Sequence, residues 1–394
     1  MSDPFNSTSE IFVACPIRIA PYLYKEIINL GYTVEEETPT GIKLIGTMQD
    51  CIRLNLSLRT AYRVLFFVKK FYARNANDLY KEIRKIEWEN IIPNDGYFTV
   101  QSFANNETIN DSRFPALRTK DAIADRFVEI YRKRPNSGAE KSGAAVYIHW
   151  EEEQVNVYID TSGATISKHG YRKMPFKAPM IEGLAAATIL ASEWNMLTPF
   201  VNPMCGSGTL AIEAAMMAAN IAPGLIRDNY AFMHLVGYED SFFIKERLAL
   251  KKLVKTTIPS KIIASDHNGM AIDAAKHNAS EAGVAHLIEF QECDFRTTKI
   301  EENAGVVIIN PEYGARLGDQ TELENTYKSM GDFFKQNCKG YHCFVFTGNP
   351  ELAKKIGLKA SRKIEFYNST IDCRLLKFEM YDGTKRERFK EPTV

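Results

Sequence analysis

Residues 202–209 have the sequence NPMCGSGT, which ends one apolar run and begins a helix-forming segment, Leu210–Ala219. The two glycines permit a tight turn and let a ligand approach the backbone beside the donor-rich N-terminus of the helix. No Gly-Lys-Ser/Thr follows, so the loop lacks the lysine that a triphosphate-binding loop needs. The pattern predicts a cradle for a nucleotide-type cofactor, with these candidate contacts: Asn202, Pro203, Cys205, Gly206, Ser207, Gly208 and Thr209.

Strands and helices alternate from Leu197 onward, which predicts an α/β unit whose parallel sheet is covered by helices on both faces. The helix predicted at Pro179–Ser192 has proline in its first turn and one apolar face. Two late segments, Lys363–Tyr367 and Cys373–Tyr381, are close enough to form a hairpin, so an antiparallel strand should complete the sheet. The other predicted elements are Thr198–Val201, Lys261–Ser265, Ala271–Ala282, Ile288–Glu292, Val306–Ile309, Glu322–Asn337 and Tyr341–Thr347.

The second and third predicted strands are each followed by a carboxylate. Asp266 can accept hydrogen bonds from both ribose hydroxyls of an adenosine ligand, and His267 is placed to touch the same ligand. Sixty residues separate the first glycine of the cradle from Asp266, against about 20 in a minimal nucleotide-binding unit. We therefore interpret 220–260 as an inserted helical excursion. Asp294, followed by Phe295, could accept from the adenine amine or could cap a helix.

The fourth predicted strand ends in NPEYG, residues 310–314. The exocyclic amine of a nucleobase is a poor nucleophile, and its methylation needs acceptors that hold the amine hydrogens and turn the lone pair toward the methyl group. Asn310 offers a side-chain oxygen, Pro311 a carbonyl and Tyr313 a stacking ring. A surface turn is the alternative, because Asn-Pro and Tyr-Gly pairs are common in turns. The position after a strand of the same sheet favours a clamp for a base.

The 394 residues exceed one typical core, and the first 165 have a mixed α+β pattern without a nucleotide-binding glycine loop. We predict two domains, 1–165 and 166–394. The formal net charge is zero, which excludes a strongly basic nucleic-acid coat protein. None of the seven cysteines forms a zinc-type pair, Met1–Glu10 lacks the basic and apolar regions typical of a signal peptide, and no apolar run is long enough to span a bilayer. We therefore expect a cytoplasmic protein without metal, membrane association or an obligate protein partner.

Several segments of the chain, which follow one another in the same order as in the family, resemble the THUMP-domain methyltransferases that modify the 2-amino group of guanosine in large-subunit (23S) ribosomal RNA. The resemblance extends over nearly the whole chain. The resemblance implies a seven-stranded Rossmann-like class I methyltransferase sheet with its last strand antiparallel, preceded by a ferredoxin-like and THUMP RNA-binding region. It also implies S-adenosylmethionine as methyl donor. The matching segments are Arg118–Arg126, His169–Arg172, Ala178–Ala187, Asn202–Ala215, Ala222–Gly224, Asn310–Leu317 and Asp372–Tyr381.

Two positions depart from the family pattern. Aspartate is usual where this chain has Asn202, so one charge near the donor's methionine part is missing. A second proline is usual where Glu312 stands, which makes the clamp less rigid and adds an acidic group. The predicted amine contacts, Asn310, the Pro311 carbonyl and Tyr313, are all present.

Two basic segments are candidates for RNA contact. Residues 113–134 contain seven basic and three acidic side chains, and 168–177 contain four basic side chains and no carboxylate. Such residues could neutralise phosphates, although solvated surface charge is an equally good interpretation of any one of them. The residues that we select as RNA contacts are Arg113, Arg118, Lys120, Lys168, Arg172 and Lys173.

The sequence leaves three rival functions open. A transfer-RNA guanine-N2 methyltransferase would have a similar architecture. An adenine-N6 nucleic-acid methyltransferase would share the Asn-Pro-x-Tyr logic of residues 310–313. A catalytically weakened RNA-binding protein is suggested by Asn202 and Glu312.

Overall fold

The computed structural model describes residues 4–107, 109, 111, 113–177, 179–302, 304–313 and 320–380. Ala178, the 314–317 part of the second motif and Tyr381 lie outside these residues. The described chain forms two compact units. The first comprises the described residues up to Pro16, Leu23–Ser167 and Pro223–Lys252, and the second comprises Ile17–Tyr22, Lys168–Ala222 and the described residues from Leu253 onward. The predicted boundary between 165 and 166 stays a prediction.

The chain up to residue 160 alternates short helices with the strands of one eight-stranded sheet, in the order β2-β3-β1-β4-β8-β7-β5-β6. Strands β7 and β8 form an antiparallel hairpin. The elements are β1 (Thr8–Ala14), α1 (Ala20–Asn29), β2 (Glu36–Thr38), β3 (Gly41–Thr47), α2 (Met48–Ser57), β4 (Arg63–Tyr72), α3 (Ala76–Arg84), β5 (Tyr97–Asn105), α4 (Phe114–Tyr131), β6 (Asn136–Ser137), β7 (Ala144–Glu151) and β8 (Gln154–Asp160).

The second unit contains a seven-stranded sheet in the order β11-β10-β9-β12-β13-β15-β14, which confirms the predicted α/β fold. The last strand in the chain, β15, runs antiparallel to β13 and lies between β13 and the edge strand β14. From residue 182 onward the elements of the chain are α5 (Glu182–Ala191), β9 (Phe200–Pro203), α6 (Thr209–Ala218), α7 (Asp240–Lys252), β10 (Ile262–Asp266), α8 (Gly269–Glu281), β11 (Ile288–Glu292), β12 (Val306–Ile309), α9 (Gln320–Asn337), β13 (His342–Thr347), α10 (Pro350–Lys355), β14 (Arg362–Asn368) and β15 (Ile371–Glu379).

Three neighbouring strands, β9, β10 and β12, are parallel to one another and buried at every position. Continuous burial is what a parallel sheet covered on both faces requires, and it explains the β-branched run Val306–Ile309. The carboxyl ends of the three strands therefore lie at one edge of the sheet. The loops after them carry the cradle, Asp266 and the clamp.

The excursion predicted at 220–260 is helical and includes α7, and its part from Pro223 to Lys252 belongs to the first unit. Phe232 N donates to Thr161 O at 3.1 Å. A Cβ added at Gly224 would lie 2.4 Å from the Cα of Leu56, so a larger residue does not fit there without rearrangement. The part of the excursion from Pro223 to Lys252 thus packs within the first unit.

The prediction that Pro179 lies in the first turn of a helix is wrong. Helix α5 begins at Glu182, and it is buried on nearly all sides rather than along one face. The Met180 carbonyl accepts a hydrogen bond from Arg172 Nη2, so this backbone group has a tertiary partner and Ile181 is extended. Among the described residues, no helix is long and apolar enough to cross a membrane.

The packing of α9 on α10 gives a testable prediction. A Cβ on Gly331 would lie 1.9 Å from the Ile356 carbonyl oxygen. Overpacking of this kind costs about 1–3 kcal/mol, so Gly331→Ala should lower the free energy of unfolding by that amount in a denaturant titration. Gln336→Ala, an exposed substitution on the same helix, should change it by less than about 0.5 kcal/mol. Equal stability of the two variants would contradict the packing.

Candidate active site

A cavity of about 640 Å³ opens at the carboxyl ends of β9, β10 and β12. Both predicted segments line it: the cradle through Asn202, Cys205, Gly206, Ser207 and Thr209, and the clamp through 310–313. The two motifs are a hundred residues apart in the chain, and the order of the strands brings them together. Asp266 and His267, which follow the second strand of this unit, also line the cavity.

The two glycines of the cradle have different roles. Both have positive φ, +54° at Gly206 and +83° at Gly208. A Cβ added at Gly206 would meet nothing within 4 Å, whereas one at Gly208 would lie 2.9 Å from the Cβ of Ala275. Gly206 therefore leaves the backbone open to a ligand, and Gly208 lets α6 pack closely on α8. Gly208 and Pro203 are not among the residues that line the cavity.

Asp266, the last residue of β10, is hydrogen-bonded to the backbone of the cradle. The residue is 8% exposed, and its carboxylate accepts from Gly206 N and from Asn268 N, each at 3.0 Å. These two bonds fix the side chain and leave lone pairs on both oxygens for a further donor. His267 is exposed, with Nδ1 3.7 Å from the Asp266 carboxylate. This arrangement suits a diol that donates to the carboxylate.

Asp294 and Phe295 do not line the cavity. Asp294 caps the short 3₁₀ helix Phe295–Thr297 by accepting from Arg296 N, and the Arg296 guanidinium holds the pKa of the carboxyl below its usual range. Phe295 is buried, with its ring centroid 6.0 Å from that of Phe333. Of the two interpretations of Asp294, the structure shows the helix cap, and the contact with adenine stays a prediction.

Two amide oxygens at the cavity have no hydrogen-bond partner among the described residues. Asn202 is 1% exposed, and its Nδ2 donates to the Ile308 carbonyl at 2.9 Å, which leaves Oδ1 buried and unsatisfied. Asn310 Oδ1 is likewise buried without a partner. An unsatisfied buried acceptor is costly, and both of these oxygens belong to residues that line the cavity.

Tyr313 is anchored from the hairpin of β14 and β15. Its hydroxyl accepts from Asn368 Nδ2 at 2.8 Å, and burial raises the pKa of the phenol. Sequence reasoning did not select Asn368 or Ile371, although both line the cavity. Their role depends on how the hairpin packs, and no local motif marks it.

The segment 169–172 makes buried contacts with α6, the helix that follows the cradle. His169 Nδ1 and the Tyr171 hydroxyl each lie 2.8 Å from Glu213 Oε1, in the fully buried centre of α6. Arg172 Nη2 donates to Thr209 Oγ1 at 3.0 Å and lies 3.5 Å from the Glu182 carboxylate. Burial raises the pKa of Glu182, and Arg172 opposes that shift. We predicted Arg172 as an RNA contact, but these internal partners favour a structural role.

The other predicted RNA contacts are more accessible. Lys168 and Lys173 are exposed in the second unit, and Lys120 is half-buried in the first. Arg113 pairs with Asp111 at 2.9 Å, and the Arg118 guanidinium lies 4.5 Å from the centroid of the Tyr80 ring. Among the described residues, no group of three or more His, Cys, Asp or Glu side chains could hold a metal ion.

Three family models match successive parts of the chain. Residues 169–377 match the family described as RMKL-like, methyltransferase domain. Residues 10–65 match the RlmL ferredoxin-like domain, and 73–160 match the THUMP domain. A solved structure of a proposed methyltransferase complexed with SAH is 29% identical, with a TM-score of 0.86, over 96% of this chain and 100% of that one.

Two relatives differ in length. The Ribosomal RNA large subunit methyltransferase K/L of Syntrophotalea carbinolica is 34% identical over 94% of this chain, which covers 53% of that protein. The chain thus spans about half the length of several curated relatives that it matches. A proposed RNA methyltransferase of Synechocystis sp. is 31% identical over 96% of this chain and 98% of its own length. The chain belongs to the family with an RMKL-like methyltransferase domain.

Proposed function

We propose that this protein transfers a methyl group from S-adenosylmethionine to the 2-amino group of a guanosine in RNA, in 23S ribosomal RNA. The observation that carries the proposal is that the open backbone at Gly206 and the unsatisfied oxygen of Asn310 share one cavity. The names of the K/L relatives support the choice of ribosomal RNA, and the SAH in the similar solved structure supports the donor. A cytoplasmic location is part of the proposal.

The donor half of the cavity has the groups that an adenosyl sulfonium needs. The Gly206 backbone offers room for close approach, and the Asp266 carboxylate can accept from the ribose hydroxyls. Asn202 Oδ1 is an unsatisfied acceptor for an ammonium group, in place of the carboxylate that is usual in the family. S-adenosylmethionine supplies an electrophilic methyl group when bound. No described side chain has to form a covalent bond with the base.

The clamp would activate the base amine by holding it. Asn310 Oδ1 and the Pro311 carbonyl accept the two amine hydrogens, while Tyr313 stacks on the flipped base. Since these acceptors fix the plane of the amine, its lone pair is turned toward the donor side of the cavity. The amine loses its extra proton to water after transfer, so no side chain is assigned as a base. We further propose that residues 1–165 capture the RNA and that 166–394 carry out the transfer.

The direct test uses labelled S-adenosylmethionine and unmodified ribosomal RNA, with mass spectrometry of the digested nucleosides. The expected product is N2-methylguanosine. Asn310→Ala should lower kcat by about 10²–10³-fold, as expected for loss of an oriented polar contact in a transition state. Transfer only to transfer RNA, or formation of N6-methyladenosine, would identify one of the rival enzymes. An unchanged kcat in Asn310→Ala would contradict the role proposed for the clamp.

Gly206→Val tests the cradle. The new side chain would occupy the space that the ligand needs and would also be strained at a φ of +54°. Calorimetry should show S-adenosylhomocysteine binding weakened by at least about tenfold, because the ligand and the side chain compete for the same volume. Gly283→Val is the matched control, since Gly283 has a φ of +73° and nothing within 4 Å of an added Cβ, but is not among the residues that line the cavity. Equal weakening in both variants would mean that strain alone acts.

Alkylation and substitution of Cys205 test whether its thiol acts as a nucleophile in the reaction. Burial and the nearby Asp266 carboxylate raise the pKa of its thiol, so the thiolate is scarce at pH 8. Iodoacetamide at pH 8 should leave Cys205 unmodified in the folded protein, as measured by peptide mass spectrometry, and should modify it after unfolding in guanidinium. Cys205→Ala should retain methyl transfer within about tenfold. Loss of activity by more than about 10³-fold would instead indicate a nucleophile.

A further inference from the structure

One ion pair lies in the wall of the cavity and has no part in the function proposed above. Lys177 Nζ is 2.6 Å from Glu312 Oε1, and both residues line the cavity. The two side chains are 53% and 35% exposed. A pair as accessible as this one contributes little to stability. Within the described part of the chain, Glu312 Oε2 has no partner.

Glu312 stands between Pro311 and Tyr313, and it lines the same cavity as the residues of the two proposed amine acceptors. The clamp then presents acceptors from three consecutive residues: Asn310 Oδ1, the Pro311 carbonyl and the Glu312 carboxylate. The edge of guanine offers three donor hydrogens, two on the 2-amine and one on N1. Adenine offers only the two hydrogens of its amine, and its N1 is an acceptor, which a carboxylate would repel. The set of acceptors matches guanine.

We propose that Glu312 is a specificity-determining residue that accepts the N1–H of the flipped guanine through Oε2, while Lys177 holds the carboxylate through Oε1. This inference rests on the function proposed above and names the contact that selects the base. Lys177 contributes by positioning, because its ion pair fixes one oxygen and leaves the other available. A proline at this position would offer no side-chain acceptor, so the contact depends on the glutamate that this chain has there.

The test measures binding of two nine-nucleotide RNAs to the full chain saturated with S-adenosylhomocysteine. One RNA has a single central guanine among uridines, and the other has 2-aminopurine in its place. The analogue keeps the 2-amine, turns N1 from a donor into an acceptor and lacks O6, and a contact with O6 would be common to the wild-type protein and its Glu312 variants. The wild-type protein should bind the guanine RNA about 10- to 100-fold more tightly, which is the range for a hydrogen bond to a charged group.

Glu312→Met removes the acceptor and should reduce this preference to less than about threefold, with Glu312→Gln intermediate. Lys177→Met should reduce it in part, because the carboxylate loses its anchor. Glu324→Met is the matched control: Glu324 pairs with Lys355 at 2.8 Å, their exposures are 34% and 47%, and neither residue is among those that line the cavity. The control should keep the wild-type preference.

A preference that survives in Glu312→Met overturns the inference, even when the wild-type protein methylates guanosine in ribosomal RNA. A preference that disappears in Glu312→Met but persists in Glu324→Met supports it. If that pattern is found while the wild-type protein methylates no ribosomal RNA, the proposed function fails and the base contact stands. A Lys177→Met variant that weakens both RNAs equally would mean that Lys177 binds phosphate rather than positions Glu312.

Discussion

The site depends on three parallel strands that are buried at every position. Strands β9, β10 and β12 have no face exposed to solvent, so their side chains pack against helices. Residues that contact a ligand can therefore lie only where each strand ends. Because the strands are parallel neighbours, these ends lie side by side. The cradle, Asp266 and the clamp are therefore gathered by sheet topology, although a hundred residues of chain separate the first segment from the last.

Buried polar groups of α6, the helix that follows the cradle, have partners in one short segment, residues 169–172. Glu213 is fully buried in α6, where an unpaired carboxylate would be costly, and His169 and Tyr171 both contact its Oε1. Arg172 joins the first turn of α6, through Thr209, to the backbone before α5. The segment 169–172 thus couples α5 to α6, which begins directly after the loop at Gly206. A loop whose glycines have positive φ needs such fixed surroundings if it is to present one surface to a ligand.

Sequence reasoning predicted the parts of this structure that local pattern controls. The bounds of β11 and β12 agree with the prediction, and β12 is an apolar run that ends at the polar residue Asn310. Strand β9 begins two residues later than predicted, since Asn195 Oδ1 accepts from the backbone N–H of Leu197 and Thr198 and holds them in a turn. The cavity contacts of Asn368 and Lys177 were not predicted, because the first depends on the packing of a distant hairpin and the second on a loop conformation. Asp294 shows the limit of a motif, since the same aspartate fits a ligand contact and a helix cap.

The central claim is that donor and base meet in a single cavity between Gly206 and Asn310. A bisubstrate compound, with the adenosyl group joined through a short methylene link to the 2-amine of guanosine, tests this most directly by calorimetry. If the claim holds, the compound binds more tightly than S-adenosylhomocysteine alone, and Asn310→Ala removes the gain while leaving the affinity for S-adenosylhomocysteine unchanged. A bisubstrate compound that binds no more tightly than S-adenosylhomocysteine to the wild-type protein would contradict the claim.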